Sequence, residues 1–234
     1  MSIAENIAAV RARIEAAARR AGRDPASINL MAVTKTHPPE IIREAYGAGL
    51  RLFGENRVQE FAGKAELLGD LRDAQWHLIG HLQTNKAVRA AELFRAVDSV
   101  DSLRLAEKLN GAAGQTGKKL AVLIEINVGG EAAKSGVALG SRELEETLAG
   151  ATRLENLQFL GLMTVPPLSE NPEEARPYFR KLREMRDAIA KRQLAGIKMD
   201  ELSMGMSHDF EVAIEEGSTC VRVGTAIFGE REKL

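Results

Sequence analysis

The sequence has one cysteine, Cys220, among its 234 residues. An internal disulfide is therefore excluded, and the composition fits a reducing compartment. It has no apolar run of the roughly 18 residues needed to cross a bilayer. It has no charge surplus either, because 32 basic and 33 acidic residues give a formal net charge of −1, which provides no general attraction to nucleic acid or an anionic membrane. We therefore expect a cytoplasmic protein with neither of these partners.

We do not expect the N-terminal segment to be a targeting sequence. Residues 1–20 are rich in Ala and Arg but carry Glu5 and Glu15, which disfavours a signal peptide or a mitochondrial presequence. Apolar residues recur there at helical spacing, which predicts an amphipathic helix over 3–21. No linker or low-complexity stretch interrupts the rest, so we predict one domain over residues 1–234.

Eight short apolar or β-branched segments alternate with helical patterns along the chain. The predicted strands cover 30–34, 52–55, 76–80, 96–100, 120–128, 159–165, 202–204 and 221–223, with a loop at 129–140. Alternating strands and helices indicate a parallel sheet covered by helices. Eight such units predict a (β/α)₈ TIM barrel, typically about 250 residues long, with an extra N-terminal helix outside the barrel or over its bottom. A doubly wound open sheet is the alternative.

Lys35 follows the first predicted strand, at the barrel end where active sites lie. Thr36 or His37 is the expected cap of the next helix, and two prolines form its first turn. Partial burial of a lysine favours the neutral amine, which can form a Schiff base with a carbonyl compound. The alternative is a surface lysine in a strand-to-helix turn.

Two glycine turns follow the last two predicted strands, where TIM barrels often bind phosphate. The first contains Gly205 and Ser207, and the second contains Gly224 and Thr225. Glycine permits close backbone approach, and each turn adds a hydroxyl next to free backbone N–H groups. Either turn alone is weak evidence, but their combined positions predict a phosphate cup.

Arg222 interrupts the apolar residues of the last predicted strand. A buried arginine needs a partner, which is either Glu125 in a structural ion pair or a ligand beside the phosphate cup. A lysine amine, a phosphate cup and a buried arginine together describe a site for pyridoxal 5′-phosphate (PLP). An arginine can only donate to the pyridine nitrogen, so the ring would stay unprotonated and be a poor electron sink.

Segments spanning nearly the whole chain closely resemble the pyridoxal phosphate homeostasis proteins, single-domain relatives of the alanine racemase N-terminal barrel. They include Ala32–Lys35, Phe53–Glu60, Trp76–Gly80, Leu82–Lys86, Lys134–Gly136, Leu202–Ser207 and Arg222–Gly229. The resemblance implies a barrel that buffers or delivers PLP through a lysine aldimine, without established turnover. By position it implies that the cofactor contacts are Lys35, Asn56, Met204, Ser207, Arg222, Gly224 and Thr225.

The alternative function is a PLP-dependent racemase of the alanine racemase type. A racemase needs a second acid or base opposite the lysine, and the resemblance implies a tyrosine from an added β-domain in that role. We expect no such domain after Leu234, and the two tyrosines, Tyr46 and Tyr178, fall in predicted outer helices. His81 and His208 follow strand ends and remain candidate bases.

A carrier has PLP and possibly PLP-dependent apo-enzymes as its partners, and we expect it to be a monomer. Lys134, in the loop after the fifth strand, is a candidate second amine for transfer, or else a solvated loop lysine. A third possibility is an interaction protein that keeps the PLP site only for stability.

Overall fold

A computed structural model describes residues 2–131 and 135–230 of the chain. Its strands are β1 (Asn29–Val33), β2 (Leu52–Glu55), β3 (Gln75–Leu78), β4 (Ala96–Val100), β5 (Leu120–Asn127), β6 (Val137–Ala138), β7 (Leu157–Met163), β8 (Ile197–Met206) and β9 (Cys220–Val223). Its α-helices are α1 (Ile3–Arg20), α2 (Pro39–Gly47), α3 (Val58–Ala65), α4 (Ala87–Leu93), α5 (Leu103–Gln115), α6 (Arg142–Ala151), α7 (Arg176–Lys191), α8 (Phe210–Glu215) and α9 (Thr225–Phe228).

The strands form a closed parallel barrel. Neighbouring strands follow the order β4-β3-β2-β1-β9-β8-β7-β5, and pairing of β4 with β5 closes the ring. The two-residue strand β6 adds to β5 outside the ring. The prediction of a (β/α)₈ TIM barrel is confirmed, and all eight carboxyl-terminal strand ends meet at one mouth.

The N-terminal helix packs on the flank of the barrel, against α8 and α9. Ser2 and Glu5 cap it reciprocally: the Ser2 hydroxyl accepts the Glu5 N–H at 3.2 Å, and the Glu5 carboxylate accepts the Ser2 N–H at 2.8 Å. Its buried stripe includes Ile7, Val10 and Ile14. α1 therefore covers the helices that follow the strands of the predicted phosphate cup.

Several predicted boundaries differ from the observed ones. β8 has ten residues rather than the three predicted at 202–204, and the predicted loop 129–140 contains β6. Two predicted helices begin with 3₁₀ turns, Thr84–Lys86 and Pro172–Ala175. Short 3₁₀ segments are common at helix ends, so these differences leave the architecture unchanged.

None of the helices in the described part of the chain is long and apolar enough to span a membrane. This agrees with the absence of a long apolar run from the sequence.

Candidate functional site at the barrel mouth

Lys35 is half-buried and lies two residues beyond the end of β1. β1 pairs with β9, with Ala32 opposite Val223, so Lys35 and the turn after β9 leave neighbouring strands at the mouth. The predicted cap of the following helix is wrong. Pro38 occupies the N-cap of α2 with no side-chain hydrogen bond, because the chain first forms a turn in which Thr36 has a φ of 67°.

The two glycine turns converge on the hydroxyl of Ser207. Its Oγ accepts the N–H of Gly224 at 3.2 Å and the N–H of Ala226 at 3.3 Å. A Cβ at Gly224 would lie 3.6 Å from the Cβ of Val33, which places this turn beside the end of β1. Thr225 is exposed and begins α9. The structure therefore brings Ser207, Gly224 and Thr225 together next to the strand that carries Lys35.

The turn that presents Ser207 depends on Gly205 and Asp209. Gly205 has a φ of +94°, and a Cβ there would lie 2.5 Å from the Cβ of Ala213, so only glycine fits. The Asp209 carboxylate accepts the Met206 N–H at 2.6 Å. Burial raises the pKa of Asp209, although this N–H and the charge of Arg222 oppose the rise. Together these contacts fix the backbone on both sides of Ser207.

Arg222 is 3% exposed and points into the barrel. Its guanidinium donates to the Ser203 hydroxyl and to the Thr164 carbonyl oxygen, each at 2.7 Å. The alternative of an ion pair with Glu125 is not what the structure shows. These two neutral oxygens accept the hydrogen bonds of Arg222, and Glu125 accepts the Ser135 hydroxyl at 3.0 Å. Burial lowers the pKa of Arg222, but a guanidinium stays protonated at neutral pH.

A cavity of about 340 Å³ occupies the other side of the mouth. Its lining includes Asn56, the backbone at Gly80, and the side chains of His81, Glu125 and Ser135. Gly80 packs so closely that a Cβ there would lie 2.4 Å from the Asn56 carbonyl oxygen. Of the predicted cofactor contacts, Asn56 alone is in the lining of this cavity.

Glu125 lines this cavity, although the sequence suggested it only as one possible ion-pair partner of Arg222. It is 6% exposed, and its Oε2 accepts no hydrogen bond from the part of the chain that the structure describes. Burial raises the pKa of this carboxyl. An unpaired buried acceptor costs about 1–3 kcal/mol, so such an atom beside a cavity indicates a place for a ligand or water. The signal in the sequence was a carboxylate interrupting an otherwise apolar strand.

Met204 is set apart from this group. Met204 alternates along β8 with the inward-facing Ser203 and is fully buried in the hydrophobic core, so its contact with a ligand stays a prediction. Lys134 lies outside the described residues.

The candidate bases have structural partners. His81 lies 3.0 Å from Asp101, and the Nε2 of His208 lies 2.7 Å from the carbonyl oxygen of Glu170. Tyr46 and Tyr178 lie on helices α2 and α7, as predicted. Tyr46 bonds to Asp73 on the outer surface.

The fold and this polar mouth define a ligand-binding barrel of the class found in alanine racemases. The family model described as "Alanine racemase, N-terminal domain" matches residues 6–232. Among curated proteins, the pyridoxal phosphate homeostasis protein of Aquifex aeolicus is 49% identical over 99% of this chain and 100% of its own length. The protein of the same name from Pseudomonas aeruginosa is 45% identical, over 99% of this chain and 96% of its own. The chain belongs to the pyridoxal phosphate homeostasis protein family.

Solved structures agree with this assignment. PipY of Synechococcus elongatus, solved with PLP bound, superposes with a TM-score of 0.85 at 39% identity, over 97% of this chain and 100% of its own. The alanine racemase of Streptomyces coelicolor has a TM-score of 0.74 at 21% identity, and the match covers 96% of this chain but 58% of the racemase. The second likeness shows a shared fold alone.

Proposed function

We propose that this protein binds PLP at the barrel mouth through Lys35 and buffers or delivers the cofactor without catalytic turnover. The observation that carries the proposal is the convergence of the Gly224 and Ala226 N–H groups on Ser207 Oγ, beside the strand end that bears a half-buried lysine. Backbone donors and a hydroxyl are the groups that hold a phosphate. A lysine at the end of the neighbouring strand supplies a primary amine, which can form a Schiff base with an aldehyde.

Two further features of the mouth fit PLP. Arg222 uses two of its five N–H donors on Ser203 and Thr164, which leaves donors for a ring nitrogen. Glu125 has an acceptor atom without a partner in the described residues, beside a cavity that also contains Asn56. The site therefore offers groups for each polar part of the cofactor.

PLP supplies an aldehyde that condenses reversibly with a primary amine. Lys35 would provide that amine, and Ser207, Gly224 and Thr225 would hold the phosphate. Arg222 would donate to the pyridine nitrogen, and Asn56 would line the space beside the ring. Met204 would contribute a further contact to the cofactor.

The donor character of Arg222 disfavours chemistry through a long-lived carbanion, and it is compatible with simple cofactor binding or with a racemase-like reaction. Since a guanidinium donates but does not accept, the ring nitrogen opposite it stays unprotonated and withdraws electrons poorly. The names of the relatives describe homeostasis, and they support the non-catalytic role over the racemase-like reaction here. PLP-dependent apo-enzymes would be the recipients, with the protein acting as a monomer in the cytoplasm.

The proposal is tested by the absorbance of the purified protein loaded with PLP. Lys35→Ala should abolish the visible band of the lysine-bound cofactor near neutral pH. Borohydride should fix the cofactor to the wild-type protein, and peptide mapping should place the label on Lys35. Lys118→Ala, which removes an exposed lysine that donates to the Glu92 carbonyl oxygen far from the mouth, serves as a matched control and should keep the full band.

A full band in Lys35→Ala, or a borohydride label on another lysine, would contradict the assignment of Lys35. Sustained racemisation of alanine, serine or lysine by the clean protein would contradict the non-catalytic role.

A further inference from the structure

Lys35 lies inside a strained turn. The His37 N–H donates to the Thr34 carbonyl oxygen at 3.1 Å, which closes a four-residue turn around Lys35 and Thr36. Thr36 has a φ of 67°, a conformation that suits glycine or asparagine at this position and is disfavoured for a β-branched residue. Such strain persists only where the surroundings hold the backbone in place.

The first side of the turn is held by two buried groups. The Thr34 hydroxyl donates to Glu55 Oε1 at 2.8 Å, and the Lys64 ammonium donates to the Thr34 carbonyl oxygen at 3.2 Å. Glu55 is fully buried at the end of β2, and Lys64 is 9% exposed on α3. Both contacts act on the residue immediately before Lys35.

The second side is held through the same ammonium. The Thr36 N–H donates to Glu60 Oε1 at 2.5 Å, and Lys64 donates to that oxygen at 2.7 Å. Lys64 also lies 3.2 Å from Glu55 Oε1. One lysine therefore links the two carboxylates that bond to the residues on either side of Lys35.

The stability of the fold alone does not explain why these charges are buried. A buried ion pair is often no more stable than well-packed apolar residues of similar volume, although removing one partner alone is strongly destabilising. The contacts made by this group converge on one turn, and that turn presents Lys35. We propose that Lys64, together with Glu55 and Glu60, is a positioning residue that holds the strained turn so that the Lys35 amine meets the cofactor aldehyde.

This inference rests on the proposed function of Lys35. Comparing the binding of two ligands distinguishes a misplaced Lys35 from a general effect of a substitution on the fold. PLP can condense with Lys35. Pyridoxamine 5′-phosphate has the same ring and phosphate but an amine in place of the aldehyde, so it cannot condense with lysine. The ratio of the two dissociation constants therefore reports the placement of Lys35 separately from the phosphate cup.

The principal variant is the double substitution Glu55→Gln with Lys64→Met, which leaves no unpaired charge at these two positions. The amide oxygen introduced by Glu55→Gln can still accept the Thr34 hydroxyl, while the Thr34 carbonyl loses its ammonium donor. We expect the Kd for PLP to rise about tenfold and the Kd for pyridoxamine 5′-phosphate to change by less than about twofold, because a small misplacement of a reacting group is costly. Thr36→Gly, which relieves the strain, should shift the same ratio in the same direction by a smaller factor.

Glu216→Gln is the matched control. Glu216 is a buried carboxylate bonded to Arg176 and Arg180 on the outer helices, so this variant should lower the Tm without changing the ligand ratio. Equal changes in both Kd values in the double variant, or no change in either, would overturn the inference. If Lys35→Ala retains the wild-type ratio, the proposed function of Lys35 itself fails, which is a separate outcome.

Discussion

At the amino-terminal end of the barrel, a cavity of about 320 Å³ is lined by the first residues of several strands and by the interior side chains of His77, Asp98 and Glu201. The cavity at the mouth has about 340 Å³ and contains Glu125. In the first cavity, His77 Nδ1 lies 3.1 Å from an Asp98 carboxylate that is 1% exposed. In the second, Glu125 Oε2 has no hydrogen bond from the described residues.

The difference separates a structural polar group from one available to a ligand. Burial alone would lower the pKa of His77, but the neighbouring Asp98 carboxylate raises it overall, because a nearby negative charge favours the protonated imidazole. Burial raises the pKa of Glu125 with only the Ser135 hydroxyl as a bonded neighbour among the described residues. The His77–Asp98 pair is therefore satisfied within the fold at one end, whereas one oxygen of Glu125 is left without a partner among the described residues at the other. This contrast agrees with the separation of stability and activity in such barrels.

The largest expected effect tests the amino-terminal end. Asp98→Ala would leave His77 largely buried without its carboxylate, so we expect the free energy of unfolding to fall by about 3 kcal/mol. Urea denaturation monitored by circular dichroism measures this loss. A loss below about 1 kcal/mol would mean that the pair is not structural, and the contrast between the two ends would then disappear.

The second effect tests the rigidity of the mouth. Gly205→Ala places a Cβ 2.5 Å from Ala213 Cβ and 2.9 Å from Phe210 Cα at a φ of +94°, so we expect a loss of about 2–3 kcal/mol. Gly22→Ala is the control, since its φ is also positive but its Cβ would meet nothing within 4 Å. The control should lose about 1 kcal/mol, the cost of the left-handed backbone alone. Equal losses would show that close packing does not shape the turn before Ser207.

The sequence predicts the barrel well because hydrophobic periodicity and turn residues both mark the ends of buried strands. The position of Lys35 and the two glycine turns follow from those ends alone. The length of β8 was missed because its first half contains Lys198, Asp200 and Glu201, so an apolar criterion finds only the interior part.

Contacts between distant residues were not predictable in the same way. Glu55 and Lys64 lie on a strand and a helix, and their contact depends on how α3 packs. The positive φ of Thr36 has no local signal, because threonine is unusual in that conformation. Alternation did not identify the partners of Arg222, because it indicates only the face of a strand. Ser203 lies on β8, and Thr164 directly follows the end of β7.

The smallest expected effect concerns Glu125, where a substitution should raise the free energy of unfolding, opposite in sign to the effect of Asp98→Ala. A carboxyl with a raised pKa in the folded protein binds its proton where the unfolded chain has lost it, so its contribution to stability falls as the pH rises above the ordinary carboxyl range. Burial is the main cause that raises the pKa of Glu125, and Asp101 adds to it, whereas Ser135, Arg222 and His81 lower it by less. Glu125→Gln removes this titration, because the amide resembles the protonated acid.

We therefore expect Glu125→Gln to match the wild type in acid and to be more stable by about 1 kcal/mol at pH 8 in the absence of PLP. Urea unfolding across this pH range measures the difference, and Glu107→Gln, an exposed carboxyl on α5, is the control that should leave the curve unchanged. Parallel curves for Glu125→Gln and the wild type would mean that Glu125 already has a partner in the free protein. Removing an acid should then stabilise the protein at the mouth, where the candidate site lies, whereas Asp98→Ala destabilises it at the amino-terminal end of the barrel.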